Sequence, residues 1–150
     1  MKLTPRKINS FLLFKLPSAF FCGVRLKSIT KEEAVVTVKH RWINQNPFNS
    51  MYFAVQAMAA ELSTGALVMQ AIQASNENTS MLVAENKSSF SKKAKGKITF
   101  LCTGGIDIAE AIQKAIQKNE GQECWMHAIG KDESNDVVSN FSFKWTVKKR

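Results

Sequence analysis

Acid is what the middle of this chain lacks. Between Trp42 and Asn76 the one charged side chain is Glu61. Cysteine is also scarce: Cys22, Cys102 and Cys124 are odd in number and have no paired spacing. That argues against a disulfide framework, and without a Cys-x-x-Cys or Cys/His cluster a zinc site has no ligand set. A reducing cytoplasm is the compartment expected. His40 and His127 stand alone, so no metal is expected, because a transition-metal site needs convergent donors. No Gly-x-Gly-x-x-Gly, Walker or Gly-x-Ser-x-Gly pattern occurs, which removes dinucleotide-binding folds, phosphate loops and serine hydrolases of the elbow type. No linker rich in Gly, Pro or Ser splits the chain and no repeat is visible, so residues 1–150 read as one domain.

Long apolar runs are missing as well. The stretch 50–73 is interrupted too often by Gln, Glu, Ser and Thr to insert stably in a membrane. The basic start and Phe11–Phe14 resemble a targeting signal, but Lys15 and Pro17 break the run and no small-x-small cleavage site follows. An amphipathic helix is expected instead, as an N-terminal extension over residues 1–18. Thr4 caps it, Pro5 takes its first position, and Ile8, Phe11, Leu12 and Leu16 line one face.

Base is what the chain has in excess: 21 Lys and Arg against 12 Asp and Glu, a net +9. Such a charge suits a phosphorylated cofactor or acyl carrier, a nucleic acid or a membrane surface, and equally plain solubility. Residues 86–97 hold five lysines and no acid. Lys92, Lys93 and Lys95 read either as phosphate contacts or as a solvated hairpin that resists edge pairing. Nucleic acid is not expected, because no aromatic-interleaved basic stripe or known module is present.

The remaining elements follow from local pattern. Val24–Ile29 and Glu33–His40 alternate as strands around a Lys31–Glu33 turn, and Asn44–Asn49 is a loop. A long helix follows, capped by Asn49 or Ser50 and ending near Ser75–Asn78. Thr79–Ser88 and Lys97–Thr103 are strands joined by a lysine-rich turn. Ile108, Ala109, Ile112, Ala115 and Ile116 form the apolar stripe of a short helix. Glu123–Gly130 and Val137–Val147 are strands about an Asp132–Asp136 turn, and Phe141, Phe143, Trp145 and Val147 alternate with polar residues. About six strands and one helix apolar on every side give an α+β fold, with an antiparallel sheet wrapped around the long central helix.

On that helix Gln56, Ser63 and Gln70 share a stripe, while Glu61 lies about 140° away at 100° per residue. No Lys or Arg in the helix can pair with it. Burial should raise its pKa unless a partner arrives from elsewhere. By position alone Glu61 reads equally as a catalyst and as a structural acid satisfied at a distance.

The spacing around it carries a resemblance. Asn46-Pro47, position 52 six residues on, and Glu61 nine beyond that resemble the hotdog-fold thioesterases of the phenylacetate-pathway type, with Asn-x5-His-Gly-Gly and an acid nine residues after the His. The resemblance covers about residues 20–148. It implies a hotdog domain, a homodimer or dimer of dimers, and an acyl-CoA or acyl-carrier thioester as substrate, with coenzyme A entering as part of the substrate rather than as a cofactor. It implies that Glu61 is nucleophile or general base, that Asn46 holds water, and that the Phe53 backbone amide stabilises the oxyanion. Tyr52, Asn49, Thr64, and Thr79 or Ser80 would then bind substrate. The chain departs from the pattern where His-Gly-Gly has become Tyr52-Phe53-Ala54. A non-catalytic protein that binds acyl groups or acyl-CoA in the same pocket is therefore the second expectation.

Overall fold

The structure, a computed structural model, describes residues 3–150. Thr4 caps α1 (Pro5–Lys15), its Oγ1 accepting from the Lys7 amide, and Pro5 opens the helix. Ile8 and Leu12 are buried as expected, whereas Phe11 and Leu16 stay exposed. Pro17 does break the helix, but a short α2 (Pro17–Phe21) starts on it; a proline is well suited to a first helical turn.

β1 (Arg25–Ile29) and β2 (Ala34–Lys39) form a hairpin, and a 3-10 turn spans Trp42–Asn44. The central α3 runs Phe53–Ser75 and ends on Asn76 in the left-handed region. Its N-cap is Tyr52, with no side-chain cap bond, rather than Asn49 or Ser50. The reason is local: Ser50 is bonded to Asn46 through both its amide and its hydroxyl and so cannot cap. β3 (Thr79–Phe90), β4 (Lys97–Cys102), α4 (Gly105–Lys118), β5 (Gln122–Lys131) and β6 (Val137–Lys149) complete the chain.

The strands form one antiparallel sheet in the order β1-β2-β4-β5-β6-β3. β6 buries Phe141, Phe143, Trp145 and Val147 on alternate positions, as its pattern predicts. The lysine-rich segment is not a hairpin turn. It carries the chain from β3 at one edge to β4 in the middle of the sheet. β4 buries Ile98, Phe100 and Cys102, while residues 84–90 of β3 are all exposed. An inner position rewards buried apolar side chains, and an edge tolerates polar ones. α3 packs against β1, β2, β4, β5 and β6, and α4 lies beside it.

The two sheet edges differ. Asn9 of α1 accepts from the Leu26 amide at 2.9 Å and donates to the Leu26 carbonyl at 3.0 Å, covering β1. β3 runs for twelve residues with β6 as its one neighbour and a bulge at Ala84.

Candidate active site

Glu61 lies midway along α3, largely buried, with no ion pair or side-chain hydrogen bond among the described residues. Burial pushes its carboxyl above the usual carboxylate range. A Cβ added at Gly65 would come within 3.2 Å of Glu61 Oε1 and 3.3 Å of the Trp145 ring. Gly65 thus lets carboxyl and indole approach the helix together. Trp145 Nε1 donates to Thr64 Oγ1 at 2.9 Å, and Thr64 Oγ1 donates to the Glu61 carbonyl at 2.9 Å. Thr64, fully buried, thereby has its hydroxyl engaged within the core. Thr64 was expected to bind substrate; in the structure it holds Trp145 beside the acid. Sequence reasoning missed the parts of Gly65 and Trp145; the one available signal was a small residue one helical turn after the acid.

Asn46 organises its own loop. Its Oδ1 accepts from the amides of Phe48 (2.9 Å) and Ser50 (3.2 Å), and its Nδ2 donates to Ser50 Oγ at 2.9 Å. Such an Asx arrangement is what Asn contributes to tight turns. It leaves the Asn46 amide occupied rather than free for a water. Asn49 sits at φ 57°, exposed, and completes the turn.

The loop faces the segment after β3, to which it is tied by the Met51 amide donating to the Ala94 carbonyl at 2.9 Å. Between them opens a cleft of about 580 Å³ that holds Asn46, Phe48, Tyr52, Phe53, Gln56, Phe90 and Lys93. Tyr52, Phe53 and Phe90 stack edge to face along it, with centroids 5.1 and 6.2 Å apart. Phe53 is the first residue of α3, where backbone amides lack intrahelical acceptors and the helix dipole favours negative charge.

The chain brings Asn46, Tyr52, Phe53, Lys92 and Lys93 to this cleft but not Glu61 or Thr64. Glu61 is eight residues further along α3, about 12 Å at helical rise. Thr79 and Ser80 are remote too. The β3 position level with Trp145 is Val83, and Thr79 is four residues beyond it, about 13 Å at strand rise. Ser80 Oγ donates to the Lys148 carbonyl at 3.1 Å, whereas Thr79 Oγ1 is buried without a partner.

Of the three lysines, Lys92 is clamped between Asp132 (2.6 Å) and Asp136 (2.7 Å). Those bonds raise its pKa, and its proximity lowers that of Asp132. Lys92, expected at a phosphate, is thus neutralised by two carboxylates, while Lys93 and Lys95 are exposed and have no acid partner among the described residues. Among the described residues no three His, Cys, Asp or Glu converge as metal donors, and no helix is long and apolar enough to cross a membrane.

An antiparallel sheet wound on a long central helix is the hotdog fold of the thioesterases. Solved structures agree in fold. A probable thioesterase of unknown function from Pseudomonas aeruginosa has TM-score 0.83 at 19% identity, over 100% of this chain and 99% of that one. A protein of unknown function from Chlorobaculum tepidum has TM-score 0.83 at 16% identity, over 99% of each chain. A thioesterase from Haemophilus influenzae has TM-score 0.73 at 13% identity, over 99% and 93%. No curated protein matches the sequence. Within the hotdog class the chain belongs to the family described as Domain of unknown function (DUF4442), whose model matches residues 5–147.

Proposed function

We propose that the protein hydrolyses an acyl thioester of coenzyme A or of an acyl carrier, with Glu61 as its general base or nucleophile. One observation carries this reading: a largely buried carboxyl with no cation among the described residues to neutralise it, held under Trp145 on the central helix of a thioesterase-like fold. An acid whose pKa is raised accepts a proton at neutral pH more readily than an exposed one. As base, the Glu61 carboxylate takes a proton from water while the water oxygen bonds to the thioester carbon. The carbonyl oxygen becomes an oxyanion near the Phe53 amide. When the C–S bond breaks, the thiolate leaves and recovers the proton from Glu61, giving an acid and a free thiol.

One subunit does not assemble this site, because Glu61 and the cleft lie apart on α3. A second copy of the chain supplies the missing half in our reading. β3 is the open edge and β1 is covered by Asn9, so antiparallel β3–β3 pairing is the favoured dimer contact. In our reading that pairing carries the second copy's cleft towards this chain's Glu61.

A second reading has its own observation. Phe53 and Ala54 place side chains where the family resemblance expects glycine, and Asn46 is used within its loop. These favour a protein that binds acyl groups without cleaving them. Release of free thiol from a panel of acyl-CoAs separates the two. We expect turnover by the native chain and its loss in Glu61→Gln. Turnover that survives the substitution would sink the Glu61 mechanism, and ligand-induced melting shifts without turnover would favour the binding protein.

A further inference from the structure

Gln56 is the polar residue this chemistry leaves out. It lies on the first turn of α3, lines the cleft, and is 3% exposed. Its Oε1 is buried with no hydrogen-bond partner. The other buried polar side chain of the cleft, Ser50, is already bonded to Asn46. Pro47, Phe48, Met51, Tyr52, Phe53 and Phe90 supply the apolar lining, alongside Asn46, Ser91, Lys92 and Lys93. An unpaired buried amide is costly to stability, and Leu or Met at this position would avoid that cost. Ligand sites characteristically combine apolar walls with a few convergent polar groups that fix orientation.

We propose that Gln56 selects the acyl group, favouring one that carries a hydrogen-bond donor, a hydroxyl or an amide N–H, over a plain hydrocarbon chain of the same size. The chemistry fixes the sign. The unpaired atom is an acceptor, so the ligand must donate. An alkyl group placed there leaves Oε1 both dry and unpaired, and a site built to bond a substrate O–H or N–H rejects the analogue that lacks it. A donor-bearing acyl group meets Oε1 with its polar end while its apolar body packs on Tyr52, Phe53 and Phe90. This rests on the cleft receiving the acyl part of the proposed thioester.

The test uses full-length protein and matched pairs of coenzyme A derivatives, hydroxylated and plain, as hydrolysable thioesters and as non-hydrolysable thioethers. Titration calorimetry on the thioethers reads binding without requiring turnover. The native chain should prefer the hydroxylated member by at least about tenfold, the equivalent of one neutral hydrogen bond. Gln56→Leu and Gln56→Met should lose that preference and melt no lower than the native protein, since both remove an unpaired buried group. An unchanged ratio, an equal weakening of both members, or a lower melting temperature in both variants would overturn the proposal. Thioether preference without thioester turnover would leave Gln56 standing and remove hydrolysis. Turnover with a ratio insensitive to Gln56→Leu would do the reverse.

Discussion

Trp145 and Thr64 are joined by a hydrogen bond from indole Nε1 to Oγ1 at 2.9 Å, across 81 residues of sequence. The bond fastens β6 to α3 at the level of Glu61, and Gly65 keeps the contact close. Gly65→Ala should therefore disturb both neighbours. Its Cβ would meet the Trp145 ring at 3.3 Å and Glu61 Oε1 at 3.2 Å. Alanine is otherwise the better helix former by up to ~1 kcal/mol, so a net loss of stability would identify the contact as the cause. Overpacking of this kind costs roughly 1–3 kcal/mol. Urea denaturation measures it, and a variant more stable than the native chain would contradict the packing described.

Glu61→Gln should raise the melting temperature at neutral pH. The folded-state pKa of Glu61 lies above its unfolded value because burial disfavours the charge. Its contribution is then fully present below the unfolded pKa, about 4.3, and is lost as pH rises through the folded pKa. The variant keeps the shape and cannot ionise. Its advantage should therefore grow from pH 4 towards pH 8, and thermal melts across that range read it. In the native chain kcat/KM should fall as pH drops through the same raised pKa, because the base becomes protonated.

How far all this was legible in the sequence depends on range. The Thr4-Pro5 start of α1, the end of α3 near Ser75, and the alternation in β6 are local patterns, and each is found as read. The position of β3 was not, because β3 and β4 look like successive strands and only the burial of Ile98 and Phe100 sends β4 inside. Glu61 stood out because charge is absent around it. Gln56 did not: its period placed it on a polar stripe with Ser63 and Gln70, and that stripe turns inward at Gln56 and Ser63. A helix apolar on every side gives no solvent face by which to orient such a stripe. Spacing singled out Asn46 as a candidate, and its hydrogen bonds within the turn emerge only from the loop's backbone path.

Phe53→Pro isolates the backbone amide from the side chain. Phe53 is the first residue of α3, a position where proline is favoured, and Tyr52 before it is extended (φ −60°, ψ 133°) as a residue preceding proline prefers. The helix should form with little change in melting temperature. The N–H is gone, and loss of one oxyanion donor costs ~10²–10³ in kcat. Phe53→Ala serves as control, because it removes the ring and keeps the amide. Equal activity in the proline and alanine variants would remove Phe53 from the oxyanion site.

The last prediction concerns where the two halves of the site come from. If Glu61 acts on a thioester held in the partner's cleft, Glu61→Gln and Phe53→Pro each disable both sites of a homodimer, but in different subunits' contributions. A mixed dimer then contains one site with a native acid and a native cleft, and one site with neither. Random reassociation of equal amounts gives half mixed dimers, so activity should return to about a quarter of the native value by the symmetry of a two-fold interface. Mild denaturation and refolding of the mixture allows the exchange, and sedimentation equilibrium checks that dimers form. If both halves belong to one chain, no mixing restores activity, since every subunit carries one defect. Recovery therefore distinguishes a shared site from a self-contained one, and it does so without any need to know the acyl group.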